Sequence, residues 1–224
     1  MDILNFFSWI KRGNYSATVP TNALSFVVIP DPRREDGYLP IVVPVSALTN
    51  TVAASSGSDT EIGSLIGGGI VVAKWNENGV KKALVASLTN LAITLPYTEP
   101  AYQGIAIGAT AQSEFDGFTN TNAIIAQTGV SASTTYAAGI ARLFAGGGFN
   151  DWYLPATIEL NMCYNSAAIV NRILGPNGFA NNFYWSSTEN ANFSARGQFF
   201  VTGALANANK GNGNLVRAVR IHTL

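Results

Sequence analysis

The sequence predicts an α+β domain that follows an extended, proline-rich N-terminal arm, and three observations lead to this fold class. Residues 70–75 and 80–87 are strand-like runs that flank the Asn-Gly pair at 78–79, which suits a tight type I′ hairpin turn. Residues 155–175 place apolar side chains at the three- and four-residue spacing of one buried helix face. The C-terminal third reads as short strands separated by turns.

The first 20 residues are predicted to form a short helix that is apolar on nearly every side. Such a helix needs burial, and at this length it is not stable alone. Two interpretations stay open. The helix packs on its own domain, or it is an anchor buried in a partner or in identical neighbouring chains.

Residues 21–50 alternate strand-like runs with prolines, which restrict such runs to edge strands or extended arms. Exposed apolar edges are hazardous, so we expect this segment to pack on other subunits. The polar stretch at residues 53–60 is typical of a linker. We therefore predict an attachment and oligomerisation region at 1–56, a linker at 57–64 and the main domain at 65–224.

Within the main domain, two shorter helices are expected near residues 120–127 and 134–144. Strands are expected at residues 183–187, 197–202 and 215–222. We expect Leu154, Trp185 and Cys163 to lie in the core, the cysteine as a small hydrophobic residue.

Composition excludes several classes of partner. Of the 224 residues, 47% are hydrophobic and 12% are charged, and the formal net charge is zero. This balance argues against nucleic acid and anionic membrane surfaces, which select clustered Lys and Arg. The single cysteine excludes an intrachain disulfide. The order of charged and apolar residues at the N-terminus is wrong for a secretory signal, so we expect a soluble protein assembled in a cytoplasm.

No catalytic or metal-binding constellation is evident. His222 is the only histidine and stands in the predicted last strand, where a packed or solvated role is typical. Glycines 67–69 precede a strand and lack the Lys-Ser/Thr that follows in phosphate-binding loops. We expect no enzyme activity, no cofactor and no metal site.

Three stretches in order carry a resemblance: "GFNDWYLPATIEL" at 148–160, "FYWSSTEN" at 183–190 and "VRAVR" at 216–220. Together they resemble the lectin-like family named after the C-terminal domain of a bacterial collagen-like adhesin, over residues 65–223. The resemblance implies a C-type-lectin-like fold, with two or three helices packed on short antiparallel sheets. The Glu-Pro-Asn type tripeptide of calcium-dependent sugar-binding lectins does not occur.

One position departs from that family. The residue after Leu-Pro is often Ser or Thr, which would cap the following helix, with Glu159 as its capping-box partner. Here it is Ala156, so the cap is either lost or supplied by Thr157.

The N-terminal region, with "DPRREDGYL" at 31–39, is similar to bacteriophage structural proteins that carry a variable outer domain. This resemblance implies a virion protein assembled in the host cytoplasm. Phage host-range determinants built on C-type lectin folds are usually trimeric, so a homotrimer is expected.

The lectin-like fold would place the segment between the "YWSS" strand and the closing strand on an exposed face at one end of the domain. Asparagine offers both donors and an acceptor, and it also makes tight turns. The segment is therefore either a recognition surface or a set of turns, in which case Gly211 and Gly213 would need left-handed backbone freedom. We predict recognition, and the expected ligand-binding residues are Asn190, Asn192, Phe193, Asn207, Asn209, Lys210, Asn212 and Asn214.

The function expected from the sequence is that of a phage virion surface protein, a fibre or decoration protein. Its N-terminal arm would contact other virion proteins, and its C-terminal loops would bind a host cell-surface molecule or glycan. Two alternatives remain: a bacterial lectin-like surface or periplasmic binding module, and a purely structural capsid decoration protein.

Overall fold

The computed structural model describes residues 25–30, 38–43, 60–129 and 132–224. The chain divides into two compact units, Met1–Asp59 and Thr60–Leu224. The helix predicted within the first 20 residues lies outside the described residues. The linker predicted at residues 57–64 stays a prediction. Within that range, Gly63 N donates a hydrogen bond of 2.8 Å to Val71 O of the second unit.

In the first unit, strand β1 (Ser25–Pro30) pairs antiparallel with strand β2 (Tyr38–Val43). Pro40 stands opposite Val28 in this ribbon. Proline has no N–H to donate, and each strand of a two-stranded ribbon has one unpaired edge where that donor is not needed.

The second unit opens with an antiparallel sheet of four strands. They are β3 (Leu65–Ile66), β4 (Gly69–Glu77), β5 (Val80–Ala86) and the C-terminal β11 (Val219–Thr223), in the spatial order β11-β5-β4-β3. Between β4 and β5, Asn78 and Gly79 have φ angles of 51° and 83°. Positive φ at both central positions is what a type I′ turn requires, which confirms the predicted hairpin.

A second sheet contains β6 (Ala92–Leu95), β7 (Phe183–Ala191), β8 (Ser194–Phe199), β9 (Leu205–Asn209) and β10 (Asn214–Val216). Their spatial order is β6-β10-β7-β8-β9, with only β10 parallel to its neighbour β7.

One strand prediction needs correction. Residues 215–222 form two strands in different sheets, because the chain leaves β10 at Val216 and enters β11 at Val219. The asparagine-rich stretch, expected to form loops and short strands, contains strand β9. Its residues alternate between exposed and half-buried positions, as the two-residue period of a strand requires.

The described residues contain three α-helices: α1 (Gly117–Thr128), α2 (Ala137–Leu143) and α3 (Thr157–Leu174). Asp116 caps α1 by accepting a 2.9 Å hydrogen bond from Thr119 N, and Gly129 ends it in a left-handed conformation. The α+β class is therefore confirmed.

Of the two alternatives expected for the start of α3, the loss of the side-chain cap at position 156 is confirmed. Glu159 Oε2 accepts a 2.8 Å hydrogen bond from Ala156 N, which is one half of a capping box. The side chain of Thr157 does not supply the missing acceptor. Instead, Thr157 N donates to Thr188 Oγ1 of β7 at 3.1 Å. The first turn of α3 is thus bonded directly to the second sheet.

In the second unit, the described core residues form two apolar clusters on opposite faces of the β4–β5 pair. Val71 and Val85 belong to the cluster with Trp152, Leu154 and Trp185. Ile70, Val72 and Leu84 belong to the other cluster, together with Leu160, Cys163 and Val170 of α3. The predicted burial of Leu154, Trp185 and Cys163 is confirmed.

Candidate binding face

Strand β7 supplies a rigid polar base for the surface that the asparagines occupy. Its residues Ser186, Ser187, Thr188 and Glu189 are all buried. Ser186 Oγ donates to Arg196 O at 2.8 Å, and Thr188 Oγ1 donates to Ser113 O at 2.8 Å. Buried polar groups that are satisfied in this way favour one arrangement of the chain around them.

An ion pair that is completely buried connects β7 to the residue after β9. Lys210 Nζ lies 2.6 Å from Glu189 Oε1, and both side chains have 0% exposure. Lys210 Nζ also donates to Ile105 O at 2.9 Å, while Glu189 accepts from Ile107 N at 2.8 Å and Gly108 N at 2.7 Å. The pair therefore holds the segment 104–108 against the sheet.

Two of the predicted site residues do not lie on the exposed face. Lys210 is fully buried, because its ammonium serves the internal contact with Glu189. Asn214 is half-buried in β10, and its Nδ2 has no hydrogen-bond partner among the described residues. The expected exposure of Lys210 is wrong, and that of Asn214 is only partial.

Four predicted residues lie at one end of the second sheet, where the β7–β8 turn meets the end of β9. They are Asn190, Asn192, Phe193 and Asn209, all exposed. Asn212 is exposed in the turn that follows, with its N–H donating to Asn209 O at 2.9 Å. We call these five residues the turn end.

Phe193 adds an aromatic surface to the turn end. Its side chain is 63% exposed, yet it packs over Gly104, where an added Cβ would come within 2.9 Å of the ring. The neighbouring Ile105 is also exposed. A glycine at 104 thus allows the ring to lie against the segment that Glu189 and Lys210 hold.

Asn207 lies apart from the turn end, on the outer face of β9. It is paired with Arg196 of β8, and the two line a shallow depression of about 220 Å³ with Leu205 and Ala206. Arg196 forms an ion pair with Glu114. Sequence reasoning missed Arg196, Glu114 and Leu205, although the alternation in "LANAN" (205–209) was a signal for a strand with one outward face.

Some of the asparagines do serve local turns. Asn209 Oδ1 accepts a 2.9 Å hydrogen bond from Gly211 N, and Asn190 Nδ2 donates to Ser194 Oγ at 2.9 Å. The expectation that Gly211 and Gly213 need left-handed backbone is wrong, because neither has a positive φ. A Cβ at 211 would instead meet Gln103 Oε1 at 2.7 Å.

Arg217 and Arg220, the two arginines of the closing segment, bind residues of neighbouring loops through their guanidinium groups. Arg217 is buried, and its Nη1 donates to Asn90 Oδ1 and Asn177 O, both at 3.0 Å. Arg220 makes two hydrogen bonds, of 2.6 Å and 2.8 Å, to the carboxylate of Asp151. These bonds lower the pKa of Asp151, and burial lowers the pKa of Arg217 to about 10.

The chain matches no protein-family model and no curated protein. Among the residues that the structure describes, no three His, Cys, Asp or Glu side chains group so that they could hold a metal ion. No helix in the same ranges has the length and apolar character needed to cross a membrane. His222 lies in β11 with its Nδ1 3.2 Å from Arg220 Nη1.

The arrangement is suited to reversible recognition. Among the described residues, the side-chain amides of Asn192, Asn207 and Asn212 have no hydrogen-bond partner, and all three residues are exposed. Each can donate and accept. They lie on or beside the sheet that contains strand β7, whose Ser186 and Thr188 side chains are bonded, so the backbone beneath this surface is positioned before any ligand arrives.

Proposed function

We propose that this chain is a bacteriophage virion surface protein, a fibre or decoration protein, that displays a C-type-lectin-like domain for binding a host cell-surface molecule or glycan. This domain, predicted at residues 65–224, lies within the Thr60–Leu224 unit. The observation that carries the proposal is a set of exposed asparagine side-chain amides that have no partner among the described residues; two of them, Asn192 and Asn212, share the turn end with the exposed ring of Phe193. Polar side chains that adapt, placed next to an aromatic anchor, are typical of recognition surfaces.

The assignment to the lectin-like fold is supported by the three ordered motifs and by a mixed α+β unit in which the last strand pairs with the opening hairpin. The role in a virion is supported by the likeness of residues 31–39 to phage structural proteins. In this proposal the N-terminal unit contacts other virion proteins and makes a homotrimer.

Attachment to bacteria tests this function. The triple variant Asn192→Ala, Asn207→Ala and Asn212→Ala removes only side-chain groups that are exposed, so its free energy of unfolding should change by less than about 0.5 kcal/mol per site. Attachment of the labelled protein to a panel of bacterial strains should fall, because hydrogen-bonding groups are lost from the contact. Asn209 is left unchanged, since its carbonyl oxygen Oδ1 is used by Gly211 N.

Asn165→Ala, an exposed asparagine on α3, is the matched control and should attach normally. Unchanged attachment by the triple variant would remove the asparagines from the recognition surface. If the wild-type chain attaches to no strain, a purely structural decoration protein becomes the better proposal.

A further inference from the structure

The depression on the outer face of β8 and β9 has the size of a small subsite. Its volume is about 220 Å³, and it is lined by Arg196, Leu205, Ala206 and Asn207. Pockets for drug-sized ligands span roughly 300–1,000 Å³. The depression therefore suits one ring of a larger molecule. Its walls stand on paired strands, which position side chains more firmly than loops do.

Unused hydrogen-bonding groups surround this depression. Arg196 donates through Nη1 to Glu114, its only side-chain acceptor within the described part of the chain. The two side chains remain 38% and 41% exposed. Asn207 has no side-chain partner in the same ranges. Arginine only donates, an ionised glutamate only accepts and asparagine does both.

The depression also has an apolar part. Leu205 is 49% exposed and lies beside Ala206 on β9. A ligand that matches this site needs a small apolar face together with neighbouring groups that donate and accept hydrogen bonds. Hydroxyl groups do both, and a sugar ring combines them with a C–H face.

We propose that this depression is a subsite for one neutral sugar ring of a saccharide chain, with Arg196 and Asn207 bonding adjacent hydroxyls and Leu205 contacting the C–H face. This inference rests on the proposed function, since it names the chemical class of the ligand. A neutral ring is favoured over an acidic one because Glu114 already neutralises the guanidinium. A second carboxylate would be repelled by Glu114.

The site can be tested without unfolding the protein. Ion pairs as exposed as Arg196–Glu114 contribute little to stability, so Arg196→Met should melt close to the wild type. Lys82→Met is the matched control, because Lys82 forms a similarly exposed ion pair with Glu77 on the other sheet. Leu205→Asn is a further variant that replaces the apolar contact by a polar side chain of similar size.

The probe is a printed array of neutral and uronic-acid-containing oligosaccharides, read with the labelled full chain. We expect the wild type to bind neutral saccharides. Arg196→Met and Asn207→Ala should each weaken apparent affinity about tenfold or more, as expected for the loss of a hydrogen bond in a desolvated contact. Leu205→Asn should also weaken binding, and Lys82→Met should not.

Three results would overturn the subsite: no binding to neutral saccharides, binding to acidic saccharides alone, or neutral binding that all three subsite variants leave unchanged. Attachment to bacterial strains, measured in parallel, separates this failure from that of the proposed function. Attachment that persists without saccharide binding overturns the subsite only. Saturable, Arg196-dependent saccharide binding without attachment to any strain supports the subsite and contradicts the role in host binding.

Discussion

At the scale of single residues, Glu159 shows how one side chain links three parts of the fold. Its Oε2 accepts from Ala156 N at 2.8 Å and from Gly117 N at 3.2 Å, and its Oε1 accepts from Tyr153 Oη at 2.6 Å. The carboxyl group thus joins the first turns of α1 and α3. Burial raises the pKa of Glu159 from its ordinary value of 4.5 to about 7.

The raised pKa predicts a dependence of stability on pH. Because the folded pKa lies above the unfolded one, protonation favours the folded state. This contribution is complete below about pH 4.5 and is lost as the pH rises through about 7. Glu159→Gln cannot titrate, so the stability of the wild type relative to this variant should fall by on the order of 2 kcal/mol between about pH 5 and about pH 8.

Urea unfolding of both proteins at the two pH values measures this difference. Glu61→Gln, at an exposed carboxylate, controls for the loss of one negative charge. An equal difference in free energy of unfolding between the wild type and Glu159→Gln at both pH values would contradict the prediction. That result would mean that the hydrogen bonds from Ala156 N, Gly117 N and Tyr153 Oη keep the Glu159 carboxylate ionised in the folded state at both.

Trp185 is predicted to be a major single contributor to stability. It is fully buried, its Nε1 donates to Leu95 O at 2.8 Å, and its ring meets Tyr97 and Phe183 edge-on. Trp185→Ala should lower the free energy of unfolding by about 3–5 kcal/mol in chemical denaturation. Trp75→Ala, at a half-buried tryptophan, should cost clearly less. Equal losses would show that burial in the first cluster is not what makes Trp185 important.

At the scale of elements, the buried Glu189–Lys210 ion pair fixes the loop segment 104–108 against the second sheet. The segment 104–108 has no helix or strand of its own. Its backbone groups instead bond to two charged side chains, each of which compensates the other in a site without water access. Removing one charge would leave the other buried and unpaired.

Lys210→Met should therefore destabilise the protein by roughly 3–5 kcal/mol. The same substitution at Lys82, in an exposed pair, should cost less than about 1 kcal/mol. Hydrogen exchange should show the amides of Ile107 and Gly108 losing protection in Lys210→Met. A small, equal effect of both substitutions on thermal melting would contradict the anchoring role.

At the scale of the whole molecule, the division at Asp59 predicts separable behaviour of the two units. A fragment that starts at residue 57 should be a soluble, folded monomer, because the described residues of both core clusters all belong to the second unit. The full chain should be oligomeric through its first 56 residues. Light scattering and thermal unfolding of both proteins measure this. A monomeric full chain together with an unfolded fragment would show that the first unit belongs to the same core.

Local patterns in the sequence were enough to predict the class of fold and several of its elements. The Asn-Gly hairpin and the amphipathic α3 depend on neighbours within one element, so their residues carry the information directly. The exposure of the asparagines at 190, 192, 207, 209 and 212 was expected from the resemblance to a lectin-like fold, and all five are exposed.

Tertiary structure alone decided what lies beneath that surface. Lys210 stands among asparagines and glycines, a sequence context typical of an exposed residue. Its side chain is nevertheless buried, because it forms an ion pair with Glu189, 21 positions away in the chain. Arg196, Glu114 and Asn207 meet only because β8 pairs with β9 and the chain before α1 returns to the sheet. Contacts between residues far apart in the chain depend on the register of distant strands, and no short window of sequence contains that register.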